Sequence, residues 1–244
     1  MISAYETSKL PQGYYTYGGT VLLRRDTCGS SQSLLLFMRD IGMRWVSAPG
    51  ATGRKNRFGG AIEPMAWAEF HLFQSVKGLY LQSAEVREDF LAVRSSPKRL
   101  LASMRCYKRV KQTLMAEHES NQILVILWNT MLAFNENCPE QIVEYRFNWR
   151  LLKALGLAPS LQSCCECGLP LGEEPRWSSN GLLCSRCGSG TANKPVRELL
   201  DIQRAAMLDH HRFVQWAKKQ TYNDNMNFFG EYIKKLIIFF TNFS

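Results

Sequence analysis

The chain of 244 residues lacks several features that define common classes of protein. No stretch reaches the roughly 18–20 apolar residues that a membrane-spanning helix needs, and the apolar run at 123–134 predicts a buried helix instead. The first residues, MISAYETSKLPQGYYTYGG, show no positive segment followed by an apolar one, which is the pattern of a secretory signal. These absences predict a cytoplasmic protein with no membrane partner.

Motifs of the common enzyme classes are also missing. The sequence has no Gly-x-Ser-x-Gly, His-Glu-x-x-His or Gly-x-x-x-x-Gly-Lys-Ser/Thr motif. No pair of carboxylates stands out as a candidate for acid–base chemistry. The four histidines are His71, His118, His210 and His211, and they form no convincing catalytic set, so we interpret them as structural. The sequence therefore predicts a protein that is not an enzyme.

Acidic residues are absent from 90–116, a segment that holds seven basic ones. The whole chain carries a net charge of +9, and an excess of this kind favours polyanionic partners. A basic run is more often a solvated helix face, so that alternative stays open for this segment. Its basic residues are Arg94, Lys98, Arg99, Arg105, Lys108, Arg109 and Lys111.

The apolar pattern predicts an α+β protein of several domains. Five short apolar segments, separated by turns that contain Gly or Ser, favour a small barrel or sandwich. They lie at 20–25, 33–38, 44–48, 66–73 and 78–84. After residue 84 the apolar period becomes helical. We predict a barrel at 1–84, a helical domain at 85–160, a cysteine module at 161–190 and a C-terminal helical segment at 191–244 that packs on the helical domain.

Basic side chains concentrate on the predicted barrel and in its long loop, PGATGRKNRFGGAIEP. Glycines beside cations let a phosphate backbone approach closely, and the nearby Trp45 and Phe58 offer faces for stacking. We predict that these cations bind DNA: Arg24, Arg25, Arg39, Arg44, Arg54, Lys55 and Arg57. The alternatives are a solvated loop and a core position for Trp45.

Four of the eight cysteines form two Cys-x-x-Cys pairs, Cys164/Cys167 and Cys184/Cys187. Each pair can present two thiolates from one tight turn, and four thiolates are a preferred ligand set of structural zinc. Four Cys leave no open position for catalysis, so we predict one structural zinc per chain. Iron is an alternative metal. Cys165 is an ambiguous neighbour, since it would replace Cys164 only with a Cys-x-Cys spacing that suits a turn less well.

Four features in this order resemble the RecO family of bacterial recombination mediators. They are TVLLRRDTCGSSQSLLLFMRDIG, PGATGRKNRFGGAIEPM, YRFNWRLLKALGLAPSLQSC and the two cysteine pairs, and they span 20–188. The resemblance implies an N-terminal OB-fold β-barrel, a helical bundle and an inserted four-cysteine zinc module. It also implies a nucleoid-associated protein that binds single- and double-stranded DNA, anneals complementary strands and helps to load a recombinase during recombinational repair.

The same resemblance implies two protein partners, a clamp protein of the RecR type and the single-stranded-DNA-binding protein. In the family, the helical part receives the acidic tail of the latter, so the basic residues of 90–116 are predicted to attract that tail. Two rival classes remain: a zinc-containing enzyme that modifies nucleic acid or performs redox chemistry, and a scaffold that binds only proteins.

Overall fold

The computed structural model describes residues 10–27, 29–52, 57–114, 120–190, 196–220 and 228–241. These residues contain seven strands and seven α-helices, so the predicted α+β class is confirmed. The chain forms two compact units, 1–131 and 132–244. The finer division into four parts stays a prediction. Within the described residues, no helix is both long and apolar enough to cross a membrane.

The first unit is built on a five-stranded sheet that closes on itself in the order β1-β2-β3-β5-β4. The strands are β1 (Gly13–Asp26), β2 (Gln32–Met38), β3 (Gly42–Ala48), β4 (Trp67–Ser75) and β5 (Gly78–Glu88). All neighbouring pairs are antiparallel except β3 and β5. All five apolar segments therefore become strands, and β1 begins earlier than its apolar segment.

The interior of this sheet holds a continuous apolar core. Val21, Leu34, Leu36, Phe70 and Leu81 are fully buried there. The pairing register between β1 and β2 shifts after position 21, and the register between β4 and β5 shifts at two positions. Such bulges bend a strand and increase its twist, which helps a short sheet to close.

A close approach between β1 and β2 leaves no room for a side chain at Gly19 unless the strands shift. A Cβ at this position would lie 2.2 Å from the carbonyl oxygen of Phe37, whereas a Cβ on Gly18 would meet nothing within 4 Å. We expect Gly19→Ala to lower the free energy of unfolding by about 1–3 kcal/mol, because the strands must shift. Denaturant titration of Gly19→Ala beside the control Gly18→Ala tests this. Equal stability of the two variants would contradict it.

The rest of the first unit, which ends at position 131, is helical. It contains α1 (Leu91–Arg94), α2 (Pro97–Thr113) and the first part of α3 (Asn121–Asn135). A buried polar network joins α2 to the barrel. The Trp67 indole N–H donates to the Tyr107 hydroxyl at 3.0 Å, and that hydroxyl lies 2.9 Å from Thr20 Oγ1. Thr20 in turn donates to the Ala66 carbonyl. The network is satisfied throughout, so it fixes α2 without the cost of an unpaired buried polar group.

The second unit begins with the end of α3. It also contains four further helices, α4 (Glu140–Ala154), α5 (Leu199–Met207), α6 (His210–Lys219) and α7 (Phe228–Thr241), and a small hairpin formed by β6 (Arg176–Ser178) and β7 (Gly181–Leu183). The sequence places five apolar residues at helical spacing on the last helix, which predicts a buried stripe, and the structure confirms it because all five are buried: Phe229, Tyr232, Ile233, Leu236 and Phe240. Tyr145 of α4 contacts Phe229 of α7 at a ring-centroid distance of 5.3 Å.

Two arginines of α4 hold the end of α5. Arg146 donates to the Ala205 and Leu208 carbonyls at 2.8 Å, and Arg150 donates to the Ala206 and Leu208 carbonyls. Carbonyls at a helix C-terminus lack partners within the helix and carry partial negative charge, so cations suit this position. Burial lowers the pKa of Arg146 to about 9, which still leaves it charged at neutral pH.

Candidate metal centre and candidate nucleic-acid interface

The four cysteines of the two pairs meet at one point. Their Sγ atoms all lie within 4.8 Å of one another, although the pairs are far apart in sequence. The Sγ atoms of Cys167 and Cys184 are 3.8 Å apart, which is too far for a disulfide. Tetrahedral zinc with Zn–S bonds of about 2.3 Å would place its sulfurs roughly 3.8 Å apart. The thiols therefore fit a soft metal ion in a four-sulfur site.

Each pair is shaped by a turn that ends in glycine. The Gly168 amide donates to the Cys164 carbonyl at 3.0 Å, and the Gly188 amide donates to the Cys184 carbonyl at 2.8 Å. Gly168 has a φ of 72°, in the left-handed region that favours glycine. The hairpin of β6 and β7 ends directly before Cys184, so it sets the distance between the two turns.

Backbone amides near the sulfurs favour thiolates. The N–H groups of Cys167 and Cys184 lower the pKa of Cys164 to about 6, and the N–H of Cys187 lowers the pKa of Cys184. Interaction with the neighbouring thiols of Cys167 and Cys184 raises the pKa of Cys187 to about 12. Four thiolates at this separation repel one another, so full deprotonation requires a cation at their centre.

Arg186 is a residue of this site that the sequence argument missed. It stands between the cysteines of the second pair, and interaction with the Cys167 sulfur raises the pKa of its guanidinium. A metal bound by four thiolates carries net negative charge, which a nearby guanidinium partly neutralises. The sequence does contain a signal for this role, because a basic residue lies between the two cysteines of a Cys-x-x-Cys pair.

Cys165 lies outside the four-sulfur cluster. It is exposed, and its Sγ is 3.8 Å from Ser178 Oγ. The Cys165 amide donates to the Leu182 carbonyl at 2.8 Å, which attaches this part of the turn to β7. The geometry therefore selects Cys164 rather than Cys165 as the proposed metal ligand.

The outer face of the barrel carries an exposed aromatic residue beside an exposed cation. Trp45 of β3 is 42% exposed, so it is not the core residue that the sequence left as an alternative. The guanidinium of Arg25, near the end of β1, lies 4.8 Å from the centre of the Trp45 ring. Phe58, the other aromatic residue considered for stacking, is buried. Of these two aromatic residues, Trp45 is therefore the one that can stack with a base.

Two other predicted DNA-binding cations are exposed. Arg57 lies against the ring of Phe58, with 5.7 Å from its guanidinium carbon to the ring centre. Arg39 lies in the turn between β2 and β3, at the other end of β2 from the β1–β2 turn. Arg54 and Lys55 lie outside the described residues, so their predicted role is untested.

The remaining two predicted DNA-binding residues are engaged within the protein. Arg24 forms an ion pair with Glu63 and is half-buried. Arg44 is buried, and its Nε donates to the Ile41 carbonyl at 3.2 Å. Their assignment as DNA contacts stays a prediction. The geometry places the exposed set, Arg25, Arg39 and Arg57, in better positions to reach a phosphate.

Most of the predicted basic segment lies on one face of α2. Lys98, Arg105, Lys108 and Lys111 are exposed, while Arg99 and Arg109 are half-buried. The same face exposes Leu101 by 56% and Met104 by 52%. Arg94 belongs to α1 instead, where it donates to the Asp89 and Pro64 carbonyls. The face of α2 is thus both basic and apolar, which a purely solvated helix face would not require.

His71 and His211 make ordinary polar contacts. The half-buried His210 differs, because its Nδ1 has no hydrogen-bond partner among the described residues and burial lowers its pKa. His71 Nδ1 lies 2.9 Å from Thr16 Oγ1, and its Nε2 is 3.9 Å from the carboxylates of Glu69 and Glu85. His211 lies 3.3 Å from Gln215. His118 is outside the described residues.

A family model described as "Recombination protein O C terminal" matches residues 111–207. DNA repair protein RecO of Anaeromyxobacter dehalogenans strain 2CP-C is 30% identical over 178 residues, which cover 70% of each chain. The chain belongs to the RecO family. The RecO proteins of Acetivibrio thermocellus and Listeria monocytogenes are 26% and 29% identical, and the matches cover 71% and 69% of this chain and 70% and 67% of those proteins.

The RecO family match includes α3, α4, α5 and both cysteine pairs. The barrel lies before the matched residues. The resemblance stated from sequence phrases is therefore confirmed at the level of the family.

Proposed function

We propose that this RecO-family chain is a DNA-binding recombination mediator. It binds single- and double-stranded DNA, anneals complementary strands and helps to load a recombinase during recombinational repair. The observation that carries the proposal is the exposed Arg25–Trp45 pair on the barrel of a chain whose relatives are named DNA repair proteins.

The barrel is the proposed DNA-binding domain. Five strands closed in the order β1-β2-β3-β5-β4 support an OB fold, a five-stranded Greek-key barrel that binds oligonucleotides. OB folds bind single strands through a positive groove and aromatic side chains on which bases stack. Arg25 supplies the charge and Trp45 the stacking face, and both are exposed.

The proposed activity needs no covalent chemistry. Arginines that replace the counterions around phosphates supply affinity by releasing those ions. Stacking on an aromatic face tolerates any base, because every base has a π-face. A surface that holds the backbone in this way leaves the pairing edges of the remaining bases free for a complementary strand. We therefore propose a mediator rather than an enzyme.

The four-cysteine cluster is proposed to hold one structural zinc. The support is the set of four mutually close sulfurs and the amides directed at them. All four ligands come from the protein, so the ion would stabilise the module rather than bind a substrate. Residues 161–190 supply few apolar side chains of their own, which makes a metal an effective substitute for a core.

The basic and apolar face of α2 is proposed to bind an acidic peptide, specifically the tail of the single-stranded-DNA-binding protein. Acidic side chains would pair with Lys98, Arg105 and Lys108, and an apolar group would cover Leu101 and Met104. The proposed clamp partner of the RecR type and the nucleoid-associated location in the cytoplasm rest on the family resemblance.

Calorimetry with an acidic peptide that ends in Phe tests the α2 proposal. We expect heat of binding at low salt, and weaker binding by Lys108→Glu because a like charge then faces the peptide. The matched control Lys219→Glu changes an exposed cation of α6 by the same charge and should bind as wild type does. Absence of heat at low salt would leave a solvated basic face as the explanation.

Strand annealing tests the proposed function as a whole. Two complementary oligonucleotides, one with a fluorophore and one with a quencher, are mixed with and without the protein at low salt. We expect the protein to accelerate quenching, and added salt to remove the acceleration. A scaffold that binds only proteins would leave the rate at its spontaneous value.

A further inference from the structure

A cavity of about 360 Å³ opens on the first unit, beside the turn that carries Arg39. Its volume falls in the range of about 300–1,000 Å³ that is usual for pockets that bind small ligands. Strands β1 and β4 line one side through Gly18, Gly19 and Ala68, and helix α3 lines the other. Apart from Arg39, none of the residues proposed above to bind DNA, metal or peptide lines this cavity.

The part of the cavity formed by β1 is free of side chains, because β1 contributes Gly18 and Gly19 there. Gly18 shows this most directly, because an added Cβ there would meet nothing within 4 Å. A planar group can therefore lie flat against the backbone of β1. The extended register of β1 continues through this position, where Gly18 pairs with Glu69 of β4, so glycine is not required by the backbone conformation.

The remaining lining, which comes from β4 and α3, is largely aromatic and aliphatic. Trp67 and Trp128 meet edge to face at 4.8 Å, and both line the cavity with Leu124 and Val125. The Trp67 N–H already donates to Tyr107, so this indole offers the cavity only its apolar surface. Val125 is 53% exposed, which leaves the mouth of the cavity open to solvent.

The charged groups at the mouth of the cavity differ in whether they already have a partner within the protein. Arg87 pairs with Glu69 at 3.0 Å, and the Asp40 carboxylate accepts from Asn121 at 2.7 Å. Arg39 is exposed, and among the described residues its guanidinium has no ion pair or hydrogen bond. The cavity therefore combines a flat apolar slot with one available cation at its edge.

A nucleotide has this combination of an uncharged planar group and an adjacent anion. We propose that the cavity takes one unstacked base of single-stranded DNA, with a neighbouring phosphate at Arg39. The proposal rests on the proposed DNA-binding function and extends it from the outer face of β1 and β3 to the other end of the barrel. The Trp67 N–H and the Asn121 Oδ1 already have partners, so we propose that stacking rather than hydrogen bonding holds the base and that the site discriminates little between bases. A base in duplex DNA is paired and stacked, so duplex DNA cannot use the cavity.

Photo-cross-linking of the wild-type chain locates the base. An oligothymidine that contains one 5-iodouracil is irradiated in complex with the full chain, and the tryptic peptides are analysed by mass spectrometry. We expect an adduct at Trp128 or Trp67. Adducts confined to Trp45, or to residues outside the cavity, would overturn the proposal.

Filling the cavity measures its contribution to binding. Stacking of one base contributes on the order of 1–3 kcal/mol, so Gly18→Leu should weaken binding of single-stranded DNA by about tenfold and leave duplex binding unchanged. Gly230→Leu is a control on α7, where an added Cβ also meets nothing within 4 Å. Arg39→Ala should reduce the salt dependence for single strands by about 0.7, which provides a second variant if Gly18→Leu does not fold.

The outcomes separate this inference from the proposed function. If the wild-type chain binds no DNA, the proposed function fails. If the wild type binds and folded Gly18→Leu binds equally well, only the cavity assignment fails. If Gly18→Leu instead loses binding of the acidic, Phe-ended peptide while DNA binding is unchanged, the cavity takes a protein side chain and the inference is wrong.

Discussion

Replacing Cys184 by Ser is expected to remove the metal and to unfold the module formed by residues 161–190. The substitution leaves three of the four sulfurs that lie within 4.8 Å of one another. Structural zinc contributes apparent binding free energies on the order of 10 kcal/mol to small modules, so loss of a ligand is a large perturbation. Elemental analysis after dialysis against a mild chelator should find about one zinc per wild-type chain and almost none in Cys184→Ser. The thermal midpoint should fall, and proteolysis within 161–190 should become rapid.

Cys165→Ser is the matched control, because it removes an exposed thiol one residue from a proposed ligand. It should keep both the zinc and the wild-type thermal midpoint. Freshly reduced wild-type protein without metal would contradict the assignment of a metal site. Loss of zinc from Cys165→Ser but not from Cys164→Ser would show that the other neighbour is the ligand.

Removing the three exposed arginines of the barrel should have the largest effect on DNA binding. Arg25, Arg39 and Arg57 are exposed, whereas Arg24 and Arg44 are engaged within the protein. Each lost phosphate contact should reduce the slope of log affinity against log salt by about 0.7 for single strands. The triple variant to Ala should therefore lose about 2 from the slope, or on the order of a hundredfold in affinity at about 0.1 M salt.

A second triple variant controls for net charge. Arg197, Lys219 and Lys234 are exposed cations of the second unit, and their replacement by Ala changes the charge by the same amount. This variant should keep a slope near that of wild type. Equal losses in the two triple variants would show that the total charge, rather than the barrel surface, determines binding.

The strands and long helices could be predicted because their apolar periods are strong. The five strand segments all form strands, and the apolar residues at helical spacing on α7 are buried. The closure of the sheet could not be predicted in the same way, since it depends on pairings such as Ser47 with Tyr80 that are distant in sequence. The start of β1 was missed because Tyr15 and Tyr17 alternate with exposed residues and give a weak apolar signal.

For the candidate sites, too, local sequence patterns could be predicted and features that depend on the folded structure could not. Cys-x-x-Cys spacing is a local pattern, so the four sulfurs could be identified from sequence alone. The exposure of a side chain is not local, which is why Arg44 and Arg25 looked equivalent although one is buried and the other exposed. The cavity beside Gly18 was beyond sequence reasoning, because β1, β4 and α3 all contribute to it.

The most direct test of the central claim is a titration of labelled single-stranded DNA with the wild-type protein over a range of salt concentrations. If the barrel binds DNA through its exposed arginines, affinity will be high at low salt and its logarithm will fall linearly with log salt, with a slope of at least about 2 in magnitude. Absence of binding at low salt, or binding that does not change with salt, would contradict the claim that this RecO-family chain binds the DNA backbone.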